Sequence, residues 1–219
     1  MKQTNIPYLY QDKKQLFTEN LQECKGIKIY GEKIIRNKNK ELRSWIPYRS
    51  KLAAAILNGL EIEIKKDYNV LYLGAATGTT VSHISDITRD GIIYAVESSP
   101  VSMKKLITVC EKRPNIIPIL NDAFHPDRYA SIVPYVDLIY QDISQRNQAE
   151  IFFENIKKYL RENGTGIIMV KARSIDVAMK PKLVYEKVCN YLKENSLSIK
   201  QVFELEPYEK DHAVVVISK

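Results

Sequence analysis

Four short polar segments, each directly behind an apolar run, hold most of the residues fit for chemistry. Gly74-Ala75-Ala76-Thr77-Gly78-Thr79-Thr80 follows the first such run, and Glu97 closes the second. Asn121-Asp122-Ala123 follows the third, and Gln141-Asp142-Ile143-Ser144-Gln145 the fourth. Glycine and small residues let a turn such as that of Gly74 and Ala75 pass close to a ligand, and a following helix offers free N–H groups. An acid about 20 residues beyond such a turn, the place of Glu97, can accept hydrogen bonds from ribose hydroxyls. Asp122 and the N–H of Ala123 can read the edge of a purine. The first segment is not GxGxxG, and it lacks the Lys-Ser or Lys-Thr of a phosphate loop, so phosphorylated ligands are poorly served. An adenosine without phosphates, carrying a cationic sulfonium, fits an acid-lined pocket of this kind.

The elements that must hold these segments follow from periodicity. From residue 49 on, near-continuous apolar runs alternate with amphipathic ones, the pattern of a parallel sheet covered on both faces. The spacing predicts strands over 69–73, 91–96, 116–120, 135–140, 165–170, 197–205 and 213–218, and helices over 50–60, 79–88, 101–112, 147–160 and 181–194. No helix separates the last two strands, so they are expected to pair antiparallel. The expected fold class is α/β, a mostly parallel, doubly wound seven-stranded sheet with an antiparallel C-terminal hairpin. Ligands of such sheets sit outside the carboxyl ends of the strands, where the four polar segments fall. Residues 1–43 read instead as short β segments around 8–10, 15–18, 26–30 and 33–36, with a hairpin turn at Tyr30-Gly31-Glu32-Lys33. A small N-terminal antiparallel β domain over 1–48 and a larger domain over 49–219 are therefore expected.

Composition narrows the classes. No apolar run among the 219 residues approaches the ~20 that a membrane helix needs. The opening MKQTNIPYLY lacks the layout of a signal peptide, so a cytoplasmic location and no membrane contact are expected. Cys24, Cys110 and Cys189 are isolated, and His83, His125 and His212 have no zinc spacing, so reduced thiols and no metal are expected. The net charge of +7 resides in residues 1–66, with 14 Lys/Arg against 7 Asp/Glu; residues 67–219 hold 19 of each. Attraction to phosphate would come from that first third.

Seven segments together resemble the fibrillarin family in order and spacing, over roughly residues 40–219. They are Trp45-Ile46-Pro47-Tyr48-Arg49-Ser50-Lys51-Leu52, the Gly74–Thr80 turn, Gly91-Ile92-Ile93-Tyr94-Ala95-Val96-Glu97, Asp122-Ala123, Gln141-Asp142-Ile143-Ser144-Gln145, Val170-Lys171-Ala172-Arg173-Ser174-Ile175-Asp176 and Glu206-Pro207-Tyr208-Glu209-Lys210-Asp211-His212-Ala213. The resemblance implies a Rossmann-like class I methyltransferase that uses S-adenosyl-L-methionine to methylate ribose 2′-hydroxyls of rRNA or tRNA. It implies the catalytic subunit of a C/D-box guide RNA particle. Its partners would be guide and target RNA, a Nop-family scaffold protein and a kink-turn-binding ribosomal-like protein.

The resemblance further implies that Thr79, Thr80, Glu97, Asp122, Ala123, Asp142 and Gln145 contact the cofactor, beside Gly74, Ala75 and Ser98. Ser98 stands where the family has an aromatic ring against the adenine, a loss of ~1 kcal/mol of stacking. A Lys51, Asp142, Lys171 and His212 set is implied at the reacting atoms. In it Lys171 acts as the base, Asp142 orients it and counters the sulfonium, and Lys51 and His212 position the ribose. Arg49, Arg173 and Lys210, close by in sequence, are candidates for target-strand phosphates. Two alternatives stay open: a methyltransferase acting on protein, and a particle subunit whose cofactor binding Ser98 has weakened.

Overall fold

Short strands dominate the first 45 residues because turns punctuate them closely. The computed structural model describes residues 1–37 and 39–219. β1 (Lys2–Gln3), β2 (Leu9–Asp12), β3 (Gln15–Glu19), β4 (Ile34–Asn37) and β5 (Lys40–Trp45) form an antiparallel sheet in the order β1-β2-β3-β5-β4. The strand expected over 26–30 does not form. There the amides of Ile29 and Tyr30 donate to the Glu32 carboxylate at 2.9–3.1 Å rather than to a neighbouring strand. The hairpin expected at Tyr30–Lys33 is accordingly replaced by one between β4 and β5, which begins at the Asn37–Lys40 pair. β5 is an additional strand: its sequence KELRSW looks solvent-exposed, yet Arg43 is fully buried against Glu32 and Asp86.

The larger sheet follows the expected plan. α1 (Lys51–Leu57) begins one residue later than its pattern suggested, because Ser50 is its cap and accepts from the Ala53 amide at 3.4 Å. Thereafter come β6 (Val70–Leu73), α2 (Thr79–Ile87), β7 (Ile93–Glu97), α3 (Pro100–Cys110), β8 (Ile116–Leu120), β9 (Val136–Gln141), α4 (Gln148–Tyr159) and β10 (Leu160–Lys171). A single turn, α5 (Ala172–Ile175), then leads to α6 (Pro181–Glu194), β11 (Ser198–Glu204) and β12 (His212–Ser218). The strand order is β11-β12-β10-β9-β6-β7-β8. β12 is antiparallel to both its neighbours; the other pairings are parallel.

Strand alternation sends residues to two apolar layers. Tyr72, Ala95, Tyr140, Met169 and Val214 face Leu52 of α1, Val81 and Ile84 of α2 and Leu106 of α3. Leu71, Val96, Ile139, Ile168 and Val215 face Phe152 and Ile156 of α4 and Val184 and Val188 of α6. Leu9, Leu16 and Trp45 of the N-terminal sheet join the first layer. The switch in strand order falls between β6 and β9, so the crevice for a ligand opens beyond Leu73 and Gln141. Among the described residues, no helix is long and apolar enough to cross a membrane.

Candidate active site

At that crevice the ends of three adjacent strands and the start of one helix converge. Gln141 ends β9 in register with Leu73 of β6 and Ile168 of β10. The next residue is Asp142, whose amide donates to the Leu73 carbonyl at 2.9 Å. β10 runs three residues farther and ends on Lys171, directly across from His212 at the start of β12. Lys51, the first residue of α1, comes in from the face covered by that helix. Its Nζ lies 3.3 Å from Asp142 Oδ2, while Lys171 Nζ lies 2.8 Å from Oδ1. The second contact is ionic, lying off the hydrogen-bonding direction, and Lys171 Nζ donates to Ser144 Oγ at 2.9 Å. All three charged side chains are about 15% exposed. One carboxylate thus holds two ammonium groups at a crevice that is narrow but open. Beside them, His212 Nδ1 lies 2.6 Å from the Lys210 carbonyl. A carbonyl can only accept, so Nδ1 carries the hydrogen and Nε2 is the acceptor of the neutral ring.

A cavity of about 370 Å³ adjoins this cluster, lined by Gly74, Glu97, Ser98, Asp122, Asp142 and Lys171, with Ala123, Gln145, Ala76, Val96, Asn121, Ile143 and Ser144 completing its wall. That volume is in the ~300–1,000 Å³ range of small-molecule sites. Gly74 adopts φ +85°, and a Cβ there would come within 2.5 Å of the Asp142 carbonyl oxygen. Only glycine lets the first turn approach the fourth strand end so closely. Glu97 is nearly buried, and its two oxygens accept from the amides of Ala76 and Ser99, each at 2.8 Å. Asp122 Oδ1 accepts from the Phe124 amide at 3.0 Å and from Gln145 Nε2 at 2.8 Å. Burial works against its charge, but those two hydrogen bonds prevail and hold the carboxyl below the usual carboxylate range. Three carboxylates at the wall suit a cationic ligand with hydroxyls and an amine, and repel phosphate.

Seven of the residues singled out for the cofactor line the cavity: Gly74, Glu97, Ser98, Asp122, Ala123, Asp142 and Gln145. Ala75 is buried behind the turn. Thr79 opens α2 half-buried, and Thr80 is buried, its hydroxyl donating to Ser50 Oγ at 3.0 Å. Thr80 therefore braces the cap of the helix that presents Lys51. Arg49 is exposed, its guanidinium 5.6 Å from the Tyr30 ring centre, and Lys210 is exposed at the turn before β12. Arg173 is tied into the fold by Asp211 at 3.0 Å and by the Val177 carbonyl at 2.7 Å. Sequence reasoning missed Ser144 and Ser50, since a lone serine in a loop carries no periodic or charge signal.

Known proteins show the same arrangement of elements. A model of the fibrillarin family matches residues 2–219. The fibrillarin-like rRNA/tRNA 2′-O-methyltransferase of Methanocaldococcus jannaschii is 47% identical over 204 residues, 93% of this chain and 88% of that protein. The fibrillarin of a solved fibrillarin/Nop5p complex superposes with a TM-score of 0.91 at 44% identity, with both chains covered completely. Aeropyrum pernix fibrillarin, solved with natively bound S-adenosyl-L-methionine, gives a TM-score of 0.84 at 44% identity, over 93% of this chain and 88% of that one. With a family model matched over residues 2–219 and a relative 47% identical over 93% of its length, the chain belongs to the fibrillarin family.

Proposed function

We propose that this chain is an S-adenosyl-L-methionine-dependent 2′-O-methyltransferase of rRNA and tRNA, the catalytic subunit of a C/D-box guide RNA particle. The observation that carries the reading is Asp142 held between Lys51 and Lys171, beside an acid-lined cavity. When bound there, S-adenosyl-L-methionine supplies a methyl group made electrophilic by its sulfonium. Glu97 receives the ribose hydroxyls of the cofactor, and Asp122, Ala123 and Gln145 hold the adenine edge. Asp142 places a negative charge near the sulfonium.

The nucleophile is a target-RNA 2′-hydroxyl, weak until its proton leaves. As the neutral amine, Lys171 Nζ would take that proton as the hydroxyl oxygen bonds to the methyl carbon and the carbon–sulfur bonding pair goes to sulfur. Asp142 and Ser144 fix the direction of Nζ, since proton transfer needs hydrogen-bond reach. Lys51 keeps Asp142 in place from the opposite side, and His212 Nε2 accepts from the target ribose. Arg49 and Lys210 offer cations to the flanking phosphates. A Nop-family protein, a kink-turn-binding ribosomal-like protein and the guide RNA complete the particle, and guide pairing selects the nucleotide.

The test is Lys171→Ala in the reconstituted particle. Methyl transfer should fall by about 10²–10⁴-fold, the span of a lost general base, while calorimetric affinity for the cofactor stays near that of the unsubstituted chain. Undiminished turnover would remove Lys171 from the chemistry.

A further inference from the structure

Lys171 stands where β10 outruns its parallel neighbour. Ile168 is the last residue of β10 in register with β9, opposite Gln141. On the other side the ladder with β12 continues to the Lys171–His212 pair. Toward β9, the N–H and C=O of Lys171 therefore meet no strand. The side-chain amide of Gln148 stands in that place. Lys171 N–H donates to Gln148 Oε1 at 3.0 Å, and Gln148 Nε2 donates to the Lys171 carbonyl at 3.4 Å. An extended residue points its N–H and C=O to the same side, and a primary amide carries the matching acceptor and donor. The two backbone groups also fix which way round the amide lies.

Gln148 is itself immobilised. It is fully buried as the first residue of α4, and its carbonyl accepts from Gln141 Nε2 at 2.8 Å. Gln141 is fully buried too, one residue before Asp142. The residue after Lys171 starts α5, and its amide donates to the Asp211 carbonyl at 3.1 Å. The chain thus changes from strand to helix at the residue whose Nζ must stay 2.8 Å from Asp142. A strand end normally frays where its ladder stops, and Gln148 supplies the missing rung.

We propose that Gln148 is a positioning residue for methyl transfer: its amide acts as a two-bond substitute strand that fixes the Lys171 backbone and so aims Nζ at Asp142 and the target hydroxyl. The proposal rests on the reading of Lys171 as the base. Gln148 lines no part of the cavity, so it acts through Lys171 alone.

Gln148→Met keeps the volume and removes both hydrogen bonds. In the reconstituted particle, kcat should fall about 10- to 100-fold, as for a catalytic group displaced by a fraction of an ångström to 1 Å. Cofactor Kd and target-RNA KM should stay unchanged. Gln148→Glu keeps an acceptor for the Lys171 amide and should lose less; it also replaces Gln148→Met should that variant not fold. The decisive comparison is a double variant. If Gln148 works through Lys171, Gln148→Met should have no further effect in a Lys171→Ala background. Wild-type kcat in Gln148→Met, or an equal loss in both backgrounds, overturns the proposal. Activity surviving in Lys171→Ala itself would instead overturn the base assignment, so the two failures are distinguishable.

Discussion

Asp142 has one charge and two cationic partners, so the cluster carries a net positive charge before a cationic cofactor arrives. With the cofactor bound, three positive groups would share one carboxylate, which ties cofactor binding to the electrostatics of the cluster. Ser98 bears on the same step because it is exposed on the cavity wall, where a ring could cover the adenine face. Ser98→Tyr should tighten S-adenosyl-L-methionine binding about fivefold, the worth of ~1 kcal/mol of stacking, with kcat little changed. Calorimetric titration checks it; unaltered affinity would mean that the adenine face lies away from residue 98. At this scale the acids were legible in the sequence because each follows an apolar strand. Thr80 was less so: bracing the Ser50 cap and touching a ligand demand the same small hydroxyl, and its 3.0 Å bond to Ser50 has no signature in the sequence.

The N-terminal sheet joins the larger one through a charged, wholly buried seam. Arg43 pairs with Glu32 at 2.7 Å and with Asp86 of α2 at 2.8 Å, and Arg113 reaches the other Asp86 oxygen at 2.7 Å. His83 lies among them, stacked on Trp45 and hydrogen-bonded to Thr18 and Tyr30. Burial first, then the charges of Arg43 and Arg113, hold its imidazole well below the ordinary value. The folded chain therefore stays unprotonated at His83 where the unfolded chain takes up a proton. Stability is fully present above the unfolded value of about 6.5 and is lost progressively as pH falls below it. Urea midpoints should thus drop between pH 7 and pH 5, with a shallower drop in His83→Gln; an identical slope in that variant would place the proton uptake elsewhere. The same seam explains what the sequence concealed. Strands of the central sheet could be read from apolar runs, whereas β5 buries Arg43 and Glu41, residue types that ordinarily signal solvent. Conversely, Ile27 and Ile29 look like a strand, but the nearby amides are taken by Glu32.

Across the whole molecule, charge and chemistry are divided. The first 66 residues carry the entire net charge of +7, while the acid-lined cavity lies at the carboxyl ends of the central strands. On the proposed reading, a polyanion drawn to the basic region would meet Arg49, where the N-terminal sheet leads into α1. We propose the boundary between two domains near residue 48 on that ground. On the proposed reading, pairing with a guide would select the target, and the chain itself would need no base-reading surface. The most direct measurement is alkaline hydrolysis of a target RNA after incubation with the reconstituted particle and methyl-labelled cofactor. A methylated 2′-oxygen cannot attack the adjoining phosphate, so its linkage resists cleavage. The account predicts label and resistance at the one nucleotide specified by the guide, and neither without guide. Label recovered in protein or on a base, with every ribose linkage still cleaved, would contradict it.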